Sequence, residues 1–480
     1  MSEHILVVGA GLAGLSAAMH AIGSGRRVTV LEAQDEVGGA AGVWATPDSV
    51  FDTGPTVLTM PDILASVFAA AGAEMDDHLS LRQIEPAYRG YFPDGSTLDV
   101  LTDVDAMADQ IANKISPAEA RGYLGYVDYV SALYRHEISS FIDRNLDSPL
   151  DLLRPDLLAL LRMGAFRSLD AKAAQFLRDP RTRRLFTFQA LYAGVAPTRA
   201  RAIYGVISYM DAVNGVFLPD GGMAAIPAAM ASVIEQRGGV IQLGTRVTGV
   251  QRNAAGAAIA VRTDDGQRLP ADAVILAGDR SRMARLLADG RSDLRPLRYS
   301  PSAYVLLAES TAQYRNIAHH NIHFGRSWAQ TFAELESGQV MSDPSLLVTH
   351  QNHPAPGSAP AAGPQRYYVL FPAPNVRAGP VRDDYLGIML DELEHRGYRG
   401  FSDSIMAHRL TTPGGWLMQG YPAGTPFSAA HSFFQSGPFR PGNCAGRNIA
   451  FAGAGTVPGV GIPMVLLSGR LATERLLSPR

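Results

Sequence analysis

Cysteine is nearly absent from this 480-residue chain: the one copy, Cys444, excludes an internal disulfide and any multi-cysteine metal site. It stands in Pro441-Gly442-Asn443-Cys444, where it reads as incidental rather than reactive. Excess charge is also missing. With 42 Lys and Arg against 45 Asp and Glu, a net charge of −3 and a pI near 6.5, the chain has no general attraction to nucleic acid. No uninterrupted apolar run reaches about 18 residues, which argues against a transmembrane helix. A signal peptide is not expected, because strand-like sequence begins almost at residue 4, and the expectation is a cytoplasmic chain. No repeat of solenoid period is visible. The length suits two or three domains with ample core.

What is present is glycine at informative spacing. His4-Ile5-Leu6-Val7-Val8 runs into Gly9-Ala10-Gly11-Leu12-Ala13-Gly14, and a second apolar run, Val28-Thr29-Val30-Leu31, ends at Glu32. This predicts a strand, a tight turn, a helix and a second strand, the unit that binds a dinucleotide. Gly9 permits the turn, Gly11 lets the backbone approach a pyrophosphate, Gly14 lets the helix lie close on the sheet, and Glu32 is placed for ribose hydroxyls. The helix N-terminus offers free N–H groups to the phosphates. A further pair, Gly38-Gly39, extends the motif beyond what a plain nicotinamide fold needs. Near the other end, Asn448 to Thr456 reads as a buried strand entering a glycine turn, followed by Val457-Pro458-Gly459-Val460-Gly461-Ile462-Pro463 and a helix from about Met464 to Leu477. The two ends of the chain therefore build one site.

Between them, residues 102–204 carry helical patterning. Strand-like pieces return at Gly239 to Leu243, Arg246 to Val250, Ala257 to Arg262 and Ala271 to Ala277, read as strands of the nucleotide domain. Ala303 to Leu307 and Tyr367 to Phe371 suit an antiparallel sheet roofing a substrate chamber, and the Pro-, Gly- and Ala-rich stretch from His353 to Pro364 is expected to be a mobile loop. The expected division is 1–85 with 205–300 and 436–480 for the cofactor, 86–101 with 301–435 for substrate, and 102–204 as a helical insertion.

Four blocks then carry a resemblance: Phe51-Asp52-Thr53-Gly54-Pro55-Thr56-Val57-Leu58-Thr59-Met60-Pro61, Phe188 to Pro197, Gly215 to Met223, and Gly453 to Pro463. In sequence and order they resemble the bacterial phytoene desaturases and related carotenoid desaturases, FAD enzymes of the amine oxidase-like superfamily, over nearly the whole chain. The resemblance implies an α/β fold: a Rossmann-like FAD-binding domain, an antiparallel substrate domain and a helical insertion. It implies noncovalent FAD held by Gly9, Gly11, Gly14, Glu32, Gly38, Gly39, Gly54, Pro55, Thr56, Val247, Gly455, Thr456, Gly461 and Ile462, with the Val247 backbone at the adenine. It also implies an apolar polyene substrate, peripheral association with the inner face of the cell membrane, and oxygen or a quinone as electron acceptor. One departure stands out. The family usually has a basic residue after the glycine pair, whereas this chain has Ala40-Ala41-Gly42; a charge-assisted hydrogen bond of roughly 1.5–3 kcal/mol is then missing from the cofactor site, or the substrate differs.

The expected chemistry is removal of a hydride and a proton from adjacent carbons, with the flavin as hydride acceptor. The proton needs a carboxylate beside the chamber. Asp151, with Arg154 three residues on, matches an Asp-x-x-Arg pair in some family members; the alternative reading is that Asp151 caps a short helix. The following stretch, Leu152 to Leu161 with Arg154, Arg162 and Arg167, suits either a lipid-facing entrance or a buried bundle helix, and a polyene substrate favours the entrance. His319-His320-Asn321-Ile322-His323, His350 and His353 read as surface or chamber histidines, so no metal is expected. An amine oxidase, a non-redox flavin isomerase and an enzyme tailoring another polyene natural product remain as alternatives.

Overall fold

A computed structural model describes residues 3–287, 297–352, 363–382 and 384–478. The stretch expected to be a mobile loop lies outside the described residues, His353 included, apart from Gly363 and Pro364.

Five apolar segments form a parallel sheet in the order Ile449–Ala452, Ala273–Ala277, His4–Val8, Arg27–Leu31, Val240–Gln242. Ile5 to Val8 are paired on both sides, against Ala273 to Leu276 and Val28 to Leu31. Three of the strands are near-continuous apolar runs because both faces of a parallel sheet are covered. Leu12–Gly23 covers one face and is locked to the last helix, Ile462–Leu477, by Ser16 Oγ donating to Leu466 O and Thr473 Oγ1 donating to Ala17 O. Both helices follow strands of the same parallel sheet, so both N-termini open at the same edge, where strands leave in opposite directions and a crevice forms. The segments around 246–250 and 257–262 are not members of this sheet: Val247–Arg252, Ala258–Thr263 and Arg268–Pro270 form a separate antiparallel sheet packed against it through Val247, Val250 and Val261.

The second large sheet runs Ile405–Thr411, Ser302–Ser310, Gln365–Ala373, Leu346–His350, His320–His323, Tyr88–Tyr91, Thr97–Val100. Its pairs are antiparallel except Tyr88–Tyr91 with His320–His323, which are parallel. The exception arises because the 88–100 hairpin enters from an early part of the chain rather than through a hairpin turn. Helices Val104–Lys114, Pro117–Glu137, Pro155–Met163 and Val206–Ala212 form a group in which the second packs against each of the others. Asp103 and Ser116 cap the first two by accepting from Ala106 N and Glu119 N, with Pro117 at the first helical position.

Candidate functional site

The fingerprint residues meet as the spacing requires. Gly9 has φ +104°, and a side chain there would run into Ala277 O; a Cβ on Gly14 would overlap Gly9 O and reach 3.0 Å from Ala277 Cβ. These two glycines therefore serve the protein's own packing. Gly11 differs: a Cβ would meet nothing nearer than 3.9 Å. It faces open space at the N-terminus of Leu12–Gly23, a helix end with no side-chain cap. Glu32 Oε2 accepts from Ala10 N at 2.6 Å and Oε1 accepts from Gln34 N at 3.0 Å, which fixes the carboxylate beside the turn. Gly38 N donates to Ala10 O at 2.9 Å, bringing the second glycine pair against Gly11. Gly38 and Gly39 have φ of +120° and +59°. The 54–56 segment docks on the same loop, since Thr53 N donates to Gly42 O and Gly54 is pressed against Ala40 O where no Cβ fits. Ala40 itself is exposed. Val247 packs with Val8 and Leu31, and Thr245 N two residues earlier donates to Glu32 O.

The C-terminal loop closes the crevice. Gly461, φ +112°, precedes Ile462–Leu477 with no side-chain cap and nothing within 4 Å of a Cβ position. Two uncapped helix N-termini at one edge suit an anionic pyrophosphate and an electron-rich ring edge, so the residues present fit a flavin dinucleotide. Thr456 is turned inward, its hydroxyl paired with Ser468 Oγ at 2.9 Å, and Ile462 is buried, so both offer only backbone to a ligand. Sequence reasoning missed Arg440. Buried to 2 % exposure, its guanidinium donates to Thr456 O and Ala454 O and braces the loop from below. Burial lowers its pKa to about 10, still cationic at neutral pH. Nothing in the sequence set it apart from Arg447, seven residues on in the same Pro/Gly-rich loop.

Asp52, of the first resemblance block, also acts structurally: it accepts from Met223 N and Ala224 N at 2.9 and 3.1 Å, tying that block to the start of Ala225–Gln236. Burial pushes its pKa up while those N–H donors hold it down. A polar cavity of about 250 Å³ lies here, reached by Thr56, His319, Thr349 and Arg366.

Asp151 and Arg154 stand in the segment that leads into Pro155–Met163, packed against residues 437–439. Asp151 Oδ2 accepts from Asp147 N and Ser148 N at 2.8 and 2.9 Å in a capping box, and Arg154 stands at the N-cap of Pro155–Met163. The segment is anchored by Asp147 to Arg475. The capping role is the one the geometry gives Asp151. His319, His320, His323 and His350 are all buried rather than on the surface, and among the described residues no group of three His, Cys, Asp or Glu side chains is placed to hold a metal. Cys444 is exposed. Two fully buried carboxylates were not picked out from sequence: Asp211, whose pKa burial raises to about 8, and Glu137, which burial alone raises. Both sit in helices, where one acid in an apolar stripe carries no sequence signal of its own.

Comparison with known proteins places this geometry. The chain is 48% identical over 490 residues to phytoene dehydrogenase of Streptomyces griseus, covering 100% of this chain and 96% of that protein. It is 31% identical to the zeta-carotene-forming phytoene desaturase of Myxococcus xanthus, over 99% and 94%. Among solved structures it superposes on an oxidoreductase from Methanosarcina mazei with TM-score 0.59 at 16% identity, over 97% and 98% of the chains. Putrescine oxidase bound to putrescine gives TM-score 0.58 at 15% identity, over 99% and 98%; at these identities the likeness is one of fold. Residues 12–477 match the family described as flavin containing amine oxidoreductase, and the chain belongs to it.

Proposed function

We propose that this protein is an FAD-dependent desaturase of a carotenoid precursor such as phytoene. The observation that carries the reading is the 48% identity to a phytoene dehydrogenase along the entire chain, at a crevice whose two helix ends fit a flavin dinucleotide. FAD, when bound, supplies the hydride acceptor for an allylic C–H bond. The chain's own part is to hold and surround it. Gly11, Gly38 and Gly39 leave backbone open to the pyrophosphate, Glu32 to the ribose, Gly54, Pro55 and Thr56 form one wall, and Val247 offers its backbone to the adenine. The Gly455 to Ile462 loop presents N–H groups where negative charge gathers on reduction, and Arg440 beneath it adds fixed positive charge. An interior closed to water protects the developing allylic cation. Electrons pass on to oxygen or a membrane quinone.

The surface supports delivery of an apolar substrate from a membrane. Leu153 is 73 % exposed and Leu150, Leu158 and Leu161 are also exposed. Residues 437–439 pack against 149–152, which joins these leucines to Phe433 and Phe434, the latter 75 % exposed. Arg201 covers the Phe433 ring at 5.4 Å, and exposed Arg162 and Arg167 flank the patch. An apolar patch rimmed by arginines matches an anionic lipid surface, so the proposed location is cytoplasmic and peripheral on the inner face of the membrane. No helix among the described residues is long and apolar enough to cross one. The test is to supply phytoene in liposomes to purified, FAD-loaded protein. Visible polyene bands should grow; no change with phytoene, neurosporene or hydroxylated carotenoids refutes the substrate class.

A further inference from the structure

Desaturation releases a proton, and several of the buried or candidate carboxylates among the described residues are already engaged. Asp52 is spent on two backbone N–H groups, Glu119 on Thr182 and Arg178 N, and Asp151 on its cap. Asp211 is different. At 1 % exposure it stands on Val206–Ala212, a helix that packs against Pro117–Glu137 and Val216–Pro219. Met210, the preceding residue, packs in a cluster with Met60 and with Met464, two residues into the last helix. Asp211 itself turns toward Gln189 and toward Tyr88 of the seven-stranded sheet. A second path gives the same location: Tyr192 neighbours Asp211, the next carbonyl, Ala193 O, accepts from His431 N at 2.8 Å, and His431 fills the space beside Gly459 in the cofactor loop.

The polar atoms there are incompletely paired. Gln189 Nε2 donates to Asp211 Oδ1 at 3.4 Å, while Asp211 Oδ2, Gln189 Oε1 and the Tyr88 hydroxyl have no hydrogen-bond partner. Three unpaired polar atoms around one buried carboxylate are costly unless a proton, a water or a substrate step uses them. We propose that Asp211 is the proton acceptor of the desaturation, with Gln189 and Tyr88 as positioning residues that hold its carboxylate toward the substrate. The proposal rests on the flavin-dependent reading above. The balance is simple. One C–H bond gives its hydride, two electrons and a proton, to oxidised FAD; the adjacent C–H gives its proton to Asp211 Oδ2, its electron pair closes the C=C bond, and Asp211 later releases the proton to solvent.

Glu137 is the rival. Its Oε1 is also unpaired, but nothing except burial acts on it, and burial holds its pKa well above the ordinary carboxylate range. The hydrogen bond from Gln189 works against the burial of Asp211, whose pKa is pushed up to about 8, close to where a base works best. The titratable groups facing it are Tyr88, Tyr192 and Tyr126, all pushed up by burial, with the buried His320 ring packed on Tyr88 from the neighbouring strand.

The experiment uses FAD-loaded Asp211→Asn and Asp211→Glu proteins. Anaerobic flavin reduction by phytoene is followed from pH 6 to 9, and infrared spectra of the holoproteins are titrated without substrate. Wild type should speed up toward pH 8 and level off; Asp211→Asn should be on the order of 100-fold slower and flat with pH, and Asp211→Glu should regain a rising limb. The infrared carboxylic-acid band lost on titration through pH 8 should be missing in Asp211→Asn, with FAD affinity unchanged. A wild-type rate and pH limb in Asp211→Asn overturns the proposal, as does an infrared titration indifferent to the substitution. If phytoene fails to reduce the wild-type flavin, the substrate reading falls instead, and the infrared titration still decides whether Asp211 exchanges a proton.

Discussion

Gly11 and Gly14, three residues apart in one motif, should fail in different ways when replaced by alanine. At Gly11, φ −72° and ψ 171° are open to alanine, and the new methyl would touch protein only at 3.9 Å. Loss of a glycine N-cap costs up to about 1 kcal/mol, and the stiffer unfolded chain returns about 0.4–1 kcal/mol. Apoprotein stability should therefore stay within about 1 kcal/mol of wild type. The methyl projects instead into the open space proposed for the pyrophosphate. A 100-fold weaker FAD complex would remove about 2.7 kcal/mol of ligand-linked stability. At Gly14 the methyl overlaps Gly9 O and crowds Ala277 Cβ, and the helix cannot retreat because Ser16 ties it to Leu466. Overpacking of this kind costs about 1–3 kcal/mol or more with or without cofactor. Urea denaturation of each variant, with and without FAD, separates the cases. Wild-type FAD affinity in Gly11→Ala, or an apoprotein loss as large as that of Gly14→Ala, would refute the reasoning.

Glu32→Ala removes the acceptor of two backbone N–H groups and the proposed ribose ligand, and should weaken FAD about 10- to 100-fold by equilibrium dialysis, from roughly 1.5–3 kcal/mol; full occupancy would count against the ribose role. Asp151→Ala loses its cap and should cost about 1 kcal/mol in urea while leaving the pH profile of flavin reduction untouched; an altered profile would restore a catalytic part for it. Leu153→Asp with Phe434→Asp should release the protein from anionic vesicles in a sedimentation assay without changing its fold, since both side chains are exposed. Asp211 also shapes stability against pH. Its folded pKa, about 8, lies above the ordinary 3.8, so the folded state binds the extra proton between those values and stability falls as pH rises from about 4 to 8. At 1.36 kcal/mol per pKa unit the upper bound is of order 5 kcal/mol, and Asp211→Asn should flatten the slope between pH 5 and 8; an unchanged slope would place the charge elsewhere.

Local chemistry was enough for the cofactor half of the molecule. The strand, turn and helix around Gly9, Gly11 and Gly14, the acid at Glu32 and the helix after Gly461 follow from spacing, because each requirement is met within a few residues by the backbone itself. The last helix begins at Ile462 rather than Met464, as Gly461 and Pro463 allow. Sequence could not assign Val247–Arg252 and Ala258–Thr263 to their own sheet, since alternation marks a strand but not its partner. Nor could it decide Asp151, whose pattern suits a cap and a catalytic pair equally; the N–H groups of Asp147 and Ser148 that reach its carboxylate show the cap. Arg440 and Asp211 became visible only when the chain closed around them. A buried charge is defined by what surrounds it, and its surroundings here come from segments such as 88–91, 188–192 and 453–456 that only the tertiary fold brings together.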